Sequence, residues 1–410
     1  MTVMRDFNHP WTESRDRGPV ATLCSVVLAA TLSLAACGPS SDEGAADASA
    51  DPSVRGDDDR GRLVIVGGAL DDDNAPVWQA VLEGRQGQGP VCVIPTASGV
   101  PERSMQSAME TLDRYGGPGT TAGILITDGE VEAARDPGIA GTLLTCSGFW
   151  FTGGAQSRIV DTFLPDGSPT AALEAIRERF REGAVIAGSS AGAAMMSHPM
   201  IAGGSSEGAF TDRLRTGEEE DGVRIYDGLG FFQAGVLDQH FLARGRIGRL
   251  LVAVREHPEI SAGFGIDENT AMVVDGDAAV VVGASGVVLV DGRGSAGQAE
   301  SLRMTLAGAG DRIDLATLSV TFDPGKQSVE SGPMLPTSGI FEDWVFLNAL
   351  AALSASSDSV GSFDVAGGRV SLAEGEGFRA VASTDGDGIA EAPPGLSAGP
   401  FETEVVFTER

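Results

Sequence analysis

The sequence predicts an α/β protein built on a mainly parallel β-sheet with helices on both faces. The first observation is a series of short, continuously apolar runs, which are typical of strands buried on both faces. The second is that amphipathic stretches separate these runs, as in residues 171–181, where Leu173, Ile176 and Phe180 recur at helical spacing. Strands that alternate with helices favour a parallel sheet. The predicted strands are residues 63–66, 91–94, 123–126, 148–151, 184–187 and 236–237.

The pattern changes in the last third of the chain. Runs at residues 263–274, 278–282 and 286–290 indicate short strands joined by Asp/Gly turns, so we expect an antiparallel extension at the edge of the sheet. Residues 351–410 are rich in Gly, Ser and acidic residues. They predict a C-terminal extension, either a poorly packed appendage or a set of edge strands. The main domain is therefore expected at residues 62–350.

The N-terminus carries the features of an export signal. Arginines precede an apolar stretch that ends in Leu-Ala-Ala-Cys at Cys37, which resembles the lipobox of bacterial lipoproteins. We predict a lipoprotein signal peptide at residues 1–36 and lipidation of Cys37. Residues 37–61 contain too little apolar material to pack and predict a flexible acidic tether. The protein is then expected to be exported and lipid-anchored on the periplasmic or extracellular side of the cell envelope.

Composition limits the partners and cofactors. The formal net charge is −30 and Lys326 is the only lysine, so nucleic acid is not an expected partner. Metal binding is not expected because neither Cys-x-x-Cys nor His-x-x-x-His spacing occurs, and no cofactor is predicted. Cys92 and Cys146 both fall in apolar runs assigned to parallel strands, which favours two buried, unpaired thiols over a disulfide. Oligomeric state stays open, with a homodimer allowed.

Residues 188–192 read Gly-Ser-Ser-Ala-Gly and fit the Gly-x-Ser-x-Gly nucleophile elbow. A strand is predicted before this stretch and a short helix after it, which is the context that the elbow requires. Ser190 is therefore the candidate nucleophile. The alternative is a structural turn made of small residues.

A serine nucleophile needs a general base, and a carboxylate to orient it. Of the histidines after the signal, His240 follows the predicted strand at residues 236–237 and is expected at the same sheet edge as the elbow. Residues 263–270 place Asp267 and Glu268 after another apolar run. Either acid could orient His240, and the pattern alone does not choose between them.

Six stretches resemble the cyanophycinases, serine exopeptidases related to dipeptidase E with a class I glutamine-amidotransferase-like three-layer sandwich. The longest is Asp-Gln-His-Phe followed by three spaced arginines, at residues 238–250. The resemblance implies that Ser190 is the nucleophile, His240 the base and Glu268 the orienting carboxylate. It implies an oxyanion hole at the amides of Gly154 and Ala191. The substrate-binding residues that it implies are Gln156, Asp238, Gln239, Arg244, Arg246 and Arg249.

The substrate that the resemblance implies is cyanophycin, a polyaspartate in which every unit carries an arginine. Arginine side chains suit its carboxylates and Asp238 suits its guanidinium groups, and the products would be β-aspartyl-arginine dipeptides. One residue departs from the family pattern, because Ala155 stands where Asp or Asn is expected. The alternatives are a dipeptidase-E-like peptidase or isopeptidase on another aspartyl peptide, and a catalytically inactive binding lipoprotein.

Overall fold

The structure is a computed structural model that describes residues 60–215, 221–293, 301–356, 360–385 and 388–407. The predicted signal peptide, Cys37 and all but the last two residues of the predicted tether lie outside these residues. Across the described ranges, no helix combines the length and the apolar character that crossing a bilayer would require.

Strands alternate with helices in the first half of the described chain. In order, these elements are β1 (Leu63–Val66), α1 (Ala75–Glu83), β2 (Val91–Ile94), α2 (Pro101–Gly116), β3 (Thr121–Gly123), α3 (Val131–Arg135), α4 (Pro137–Leu143), β4 (Gly148–Phe151), α5 (Gln156–Phe163), α6 (Ala171–Arg181), β5 (Val185–Ser189) and α7 (Ala191–Ala194).

Strands dominate the second half. The elements are β6 (Met200–Gly203), α8 (Ser206–Asp212), β7 (Leu214–Arg215), β8 (Val223–Tyr226), β9 (Val236–Asp238), α9 (Ile247–Glu256), β10 (Ala262–Ile266), β11 (Thr270–Asp275), β12 (Ala278–Gly283), β13 (Gly286–Asp291), β14 (Ser301–Gly308), β15 (Arg312–Asp314), β16 (Ser319–Thr321), β17 (Gln327–Ser328), α10 (Val345–Ala355), β18 (Val360–Val365), β19 (Gly368–Ala382) and β20 (Ser397–Phe407).

The central sheet confirms the predicted α/β class. Its strand order is β16-β15-β12-β11-β1-β5-β4-β2-β3, and the strands from β1 to β3 in this order pair in parallel. The predicted antiparallel extension is present as β11, β12, β15 and β16 on the far side of β1. All four residues of β1, β2 and β4 are buried, as strands covered on both faces should be.

Helices cover both faces of this sheet. On what we call the α1–α2 face, Val66, Trp150 and Val185 pack with Trp78 and Leu112. On the opposite α5–α7 face, side chains of the same strands pack with α5, α6 and α7 in the largest hydrophobic cluster. Adjacent residues of a strand point to opposite faces, so each four-residue apolar run supplies both layers of the core.

A second sheet, in the order β17-β19-β20-β14-β13-β10-β9, was not predicted. Leu237 and Phe264, on one face of this sheet, join the cluster on the α5–α7 face of the central sheet. Val236 and Val288, on its other face, pack with α9 and α10. The chain therefore places a second β layer over the α/β core.

Four details of the predicted strands are wrong. The run at residues 286–290, predicted in the edge extension, is β13 of the second sheet, and the strand predicted at residues 123–126 is β3 at Thr121–Gly123. Strand β9 pairs with β10 in the second sheet, whereas the sequence pattern placed it in the central one. The predicted strand at 263–274 is two strands, because the chain turns at residues 267–269 and passes from the second sheet to the central sheet. Local apolar pattern does not specify which sheet a strand joins.

The described part of the C-terminal extension contributes the end of α10 and strands β18, β19 and β20. Strand β20 pairs with β14 and thereby joins the second sheet. A buried polar cluster links β20 to the loop after β14. Nζ of Lys326 lies 2.7 Å from Oδ1 of Asp311 and 2.7 Å from Oγ of Ser397. Because the cation and the carboxylate are paired and hydrogen-bonded, their burial is tolerated.

The prediction that Cys92 and Cys146 are unpaired thiols is wrong. The two residues form a disulfide, with Cα atoms 5.8 Å apart. Cys92 lies in β2, but Cys146 lies two residues before β4 rather than inside a parallel strand. The disulfide therefore links β2 to the turn that precedes its neighbour β4 in the central sheet.

Candidate active site

Ser190 stands on a sharp turn between β5 and α7. Its backbone has φ 56° and ψ −110°, a region that non-glycine residues rarely adopt. The flanking glycines make this turn sterically feasible. A Cβ on Gly188 would lie 2.4 Å from the carbonyl oxygen of Gly192, and a Cβ on Gly192 would lie 2.3 Å from that of Phe151. The Gly-x-Ser-x-Gly pattern thus folds into the strand–turn–helix that it predicts.

His240 reaches Ser190 from the second sheet. Nε2 of His240 lies 2.8 Å from Oγ of Ser190. The residue follows β9, has a positive φ of 48°, and donates its backbone N–H to the carbonyl of Gly67 at 2.7 Å. The loop after β1 therefore holds the histidine beside the elbow.

Glu268 completes a hydrogen-bonded chain. Its Oε1 lies 2.5 Å from Nδ1 of His240 and 3.3 Å from Nε of Arg244. The next residue, Asn269, donates its amide to the carbonyl of Gly68. The Gly67–Gly68 loop thereby contacts both the segment that bears the histidine and the segment that bears the carboxylate.

The structure separates the two acids that the residue pattern left equivalent. Asp267 is fully buried, and its Oδ1 accepts the amides of Leu242 and Ala243 at 3.0 and 2.9 Å. Its Oδ2 accepts the hydroxyl of Ser285 at 2.6 Å. Asp267 thus points away from the imidazole and supports the turn that follows His240. Burial raises the pKa of Asp267 to about 6, although these hydrogen bonds oppose the rise.

The surroundings of His240 favour the neutral imidazole. Burial lowers its pKa below the usual 6.5, and the positive charges of Arg244 and Arg246 lower it further. The hydrogen bond and the charge of Glu268 act in the opposite direction. Because the pKa lies below 6.5, the imidazole is neutral at pH 7 and can accept a proton from the Ser190 hydroxyl.

Two backbone amides lie where an oxyanion hole is predicted. The Gly153–Gly154 loop passes beside the elbow, since a Cβ on Gly153 would lie 3.3 Å from Cβ of Ser190. The Gly154 amide donates to no acceptor within the described residues. Ala191 begins α7, and N–H groups in a first helical turn have no partner inside the helix. The use of these two amides as an oxyanion hole stays a prediction.

Asp238 and Arg249 form a buried ion pair with each other. Nε of Arg249 donates to Oδ2 of Asp238 at 2.7 Å, and a second bond joins the other nitrogen and oxygen of the pair. The Asp238 side chain is 1% exposed. Nη1 of Arg249 also donates to the carbonyl of Gly204. Contact of either residue with a substrate stays a prediction.

The other predicted substrate residues have separate partners. Oε1 of Gln239 lies 3.4 Å from Oγ of Ser190, and the backbone carbonyl of Gln239 accepts a hydrogen bond from Nη1 of Arg246 at 2.7 Å. Gln156 donates to the carbonyl of Ile201 at 2.9 Å. Arg244, whose side chain is 51% exposed, is the predicted arginine that is most accessible from solvent.

The residue pattern missed several residues that support the site. Asp267 was considered only as an orienting acid, and Gly68 was not among the predicted site residues. The sequence contains a signal for each residue. For Gly68 it is the Gly-Gly pair that follows β1. For Asp267 it is the pair of adjacent acids that follows β10, because successive side chains of an extended chain face opposite ways.

The other histidines of the described ranges, His198 and His257, lie before β6 and after α9, and neither joins the chain of hydrogen bonds from Ser190 to Glu268. No cluster of metal-ligating side chains occurs in the described ranges.

Comparison with known proteins gives a consistent set of relatives. The sequence model of Peptidase family S51 matches residues 63–282. A cyanophycinase of Trichormus variabilis is 34% identical over 233 residues, which cover 56% of this chain and 73% of that protein. A cyanophycinase of Geminocystis herdmanii is 37% identical over 186 residues, which cover 42% of this chain and 64% of that protein.

Two solved structures match part of this chain. A peptidase from an acI-B1 actinobacterium has a TM-score of 0.44 at 21% identity, and the match covers 57% of this chain and 91% of that one. A putative peptidase E protein from Listeria monocytogenes has a TM-score of 0.38 at 16% identity, with 55% and 98% covered.

The segment matched by the family model makes up more than half of the chain and contains Ser190, His240 and Glu268. The relatives agree with this assignment at 34% to 37% identity. The protein is a serine-type peptidase, and the chain belongs to peptidase family S51.

Proposed function

We propose that this protein is an exported, membrane-tethered exopeptidase that hydrolyses cyanophycin to β-aspartyl-arginine dipeptides. The hydrogen-bonded chain Ser190–His240–Glu268 is the single observation that carries the proposal. The cyanophycinases of Trichormus variabilis and Geminocystis herdmanii support the choice of substrate.

In the proposed mechanism, Oγ of Ser190 attacks the backbone carbonyl carbon between two aspartate units. Nε2 of His240 takes the hydroxyl proton and then donates it to the leaving amine, while Glu268 stabilises the imidazolium ion that forms in between. The amides of Gly154 and Ala191 donate to the oxyanion. Water, deprotonated by His240, then attacks the acyl-enzyme and releases the second product, which regenerates the serine.

The arginine-rich segment after His240 supports recognition of a carboxylate-bearing substrate. Arg244 is exposed, and we assign it to contact with a substrate carboxylate because a guanidinium fork binds such groups in two places. Arg246 lies deeper, where burial lowers its pKa to about 10, still far above neutral pH. The buried pair Asp238–Arg249 is proposed to position this segment.

The proposed location outside the cytoplasm depends on the sequence signal and on the Cys37 lipobox. The Cys92–Cys146 disulfide supports it, because structural disulfides persist in oxidising compartments and are rare in the cytosol. Labelling of growing cells with an alkynyl fatty acid should tag the protein, and Cys37→Ser should remove the tag. Retention of the tag in that variant would overturn the lipid assignment.

The substrate proposal is tested with the full-length protein, purified in detergent and incubated with insoluble cyanophycin. We expect the suspension to clear and mass spectrometry to detect β-aspartyl-arginine, while Ser190→Ala releases none. Fluorophosphonate labelling of Ser190 is measured in parallel. A protein that is labelled at Ser190 but releases no dipeptide would be a peptidase for another substrate, a result that Ala155 in the pocket loop would then help to explain.

A further inference from the structure

The side chain of Asn269, the residue after Glu268, is the centre of a polar cluster that joins two loops of the site. Its Oδ1 accepts hydrogen bonds from Nδ2 of Asn74 at 2.7 Å and from the backbone amide of Asp71 at 3.1 Å. Its Nδ2 donates to Oδ2 of Asp71 at 2.6 Å. Both polar atoms of this side chain therefore bond to the segment between β1 and α1.

The backbone of Asn269 is held as well. Its φ of 51° lies in the left-handed region, which asparagine adopts more readily than most residues. Its amide donates to the carbonyl of Gly68 at 2.8 Å. Its carbonyl accepts Nδ2 of Asn74 and the amide of Ala284, each at 2.9 Å. The turn that immediately follows Glu268 is thus fixed through both the backbone and the side chain of one residue.

The role of Asn74 is an independent indication that this cluster matters. Asn74 occupies the N-cap position of α1, where an asparagine side chain commonly accepts a hydrogen bond from the first turn of the helix. It makes no such bond, and its Nδ2 donates to Asn269 instead. The side chain is used to hold the turn after Glu268 rather than to cap the helix.

The loop between β1 and α1 connects this cluster to the core and to the histidine. Nε1 of Trp78, a buried residue of α1, donates to the carbonyl of Asp71 at 2.9 Å. Gly68, in the same loop, lies against the imidazole of His240. One loop therefore contacts the ring of His240 at one point and the side chain of Asn269 at another.

We propose that Asn269 is a positioning residue for the orienting carboxylate, because it fixes the turn that bears Glu268 against the loop that contacts His240. Oε1 of Glu268 lies 2.5 Å from Nδ1 of His240, and a bond of this length weakens when the turn moves. Asn269 acts through Glu268, with Asp71 and Asn74 as its partners. The inference rests on the proposed roles of His240 and Glu268 and extends them.

The pH dependence of the histidine distinguishes this role from a purely structural one. The charged groups that act on His240 are Glu268, which raises its pKa, and Arg244 and Arg246, which lower it. If Glu268 is held less firmly, the two arginines dominate and the pKa falls. The acidic limb of the Ser190 labelling profile should then move to lower pH. A general loss of stability would not produce that shift.

The first test is Asn269→Gly in the full-length protein, because glycine keeps the left-handed backbone accessible and removes only the side chain. We expect the plateau rate of fluorophosphonate labelling of Ser190 to fall by about 10-fold, since a full displacement of about 1 Å costs about 100-fold. The acidic limb should move to lower pH.

Asn348→Ala is the matched control for this variant. Asn348 lies in α10 and also links two distant segments, since its Oδ1 accepts the amide of Glu391 at 3.1 Å. Its replacement should lower the thermal midpoint but leave both the plateau rate and the acidic limb at their wild-type values.

The second test exchanges donor and acceptor within the cluster. Asn269→Asp alone sets a carboxylate against that of Asp71 and should lower the plateau rate by about 10-fold or more, because like charges at hydrogen-bond distance repel. The double variant Asp71→Asn/Asn269→Asp has the wild-type net charge and restores a bond between an amide and a carboxylate. Its plateau rate should return to within about 2-fold of wild type.

The outcomes separate this inference from the proposed function. If Asn269→Gly keeps the wild-type plateau rate and acidic limb, or if the double variant is as slow as Asn269→Asp, Asn269 does not position the carboxylate and the inference is overturned. The proposed function then stands. If Glu268→Gln is labelled at the wild-type rate, the orienting role of Glu268 is wrong and the inference falls with it. None of these measurements uses cyanophycin, so they do not depend on the proposed substrate.

Discussion

Gly68 lies directly against the imidazole of His240, so that a Cβ at position 68 would sit 2.2 Å from Cε1 of the ring. The glycine also has φ +119°, a conformation that is strained for other residues. The observed position of the His240 imidazole beside Ser190 therefore depends on the absence of a side chain at residue 68.

Replacing this glycine should displace the histidine. We expect Gly68→Ala to lower the rate of fluorophosphonate labelling of Ser190 by about 100-fold, because a shift of about 1 Å in a reacting group costs that much. Gly141→Ala is the control, since a Cβ at position 141 meets no atom within 4 Å. Labelling of Gly68→Ala at the wild-type rate would contradict the proposed role of His240.

The strained backbone of Ser190 predicts a conflict between activity and stability. Ser190→Ala and Ser190→Gly should both abolish labelling, but they should differ in thermal stability. Relief of the strain at φ 56° and ψ −110° is worth about 1–3 kcal/mol, and the added entropy of glycine in the unfolded chain costs about 0.5–1 kcal/mol. Ser190→Gly should therefore unfold at a higher temperature than Ser190→Ala, as measured by calorimetry. The reverse order would mean that the turn at residue 190 is not strained.

The sequence predicts the local features of this site better than the long-range ones. Gly188 to Gly192 form the expected elbow because the flanking strand, the tight turn and the helix are all specified within about ten residues. The choice between Asp267 and Glu268 depends on which way each side chain faces, and this follows from the second sheet that β10 joins. Residue pattern alone left that choice open, and only the family resemblance favoured Glu268.

The difference between local and long-range features also explains the errors in the predicted fold. Strands β1, β2 and β4 begin and end where their apolar runs do. Strand β9 has the same apolar character, but it pairs with β10 in the second sheet instead of joining the central sheet. The residues of β9 alone do not indicate which strand it pairs with. The disulfide was missed because Cys146 was assigned to a parallel strand, although it lies two residues before the start of β4.

The pH dependence of labelling should report on the charges around His240. Labelling requires the neutral imidazole, so the rate should fall as the pH drops through the pKa of His240, which lies below 6.5. Arg244→Gln removes a positive charge that lowers this pKa. The pKa should rise, and the acidic limb of the labelling profile should move to higher pH.

Arg135→Gln is the control for this shift, because Arg135 is an exposed residue of α3 that pairs with Glu132. Its acidic limb should coincide with that of wild type. A limb in Arg244→Gln that stays in place, or moves to lower pH, would show that the charge of Arg244 does not act on the titrating group.

Because the carboxyl group of Asp267 is buried, it should make the free energy of unfolding depend on pH between about pH 4 and about pH 6. Its pKa is raised from 3.8 to about 6 in the folded protein, so the folded state holds this proton more tightly than the unfolded state does. By linkage, its ionisation lowers the free energy of unfolding as the pH rises from about 4 to about 6, by an amount on the order of 3 kcal/mol. Below pH 4 the group is protonated in both states and this loss is absent.

Asp267→Asn keeps an oxygen for the amides of Leu242 and Ala243 but cannot ionise. We therefore expect the thermal midpoint of this variant, relative to wild type, to rise progressively between pH 4 and pH 6 and to level off above pH 6. Asp277→Asn removes an exposed acid instead and is the matched control, for which no such progressive rise is expected. A constant difference between Asp267→Asn and wild type across this window would mean that Asp267 ionises equally well in the folded and unfolded protein, and that its burial beneath the His240 turn carries no electrostatic cost.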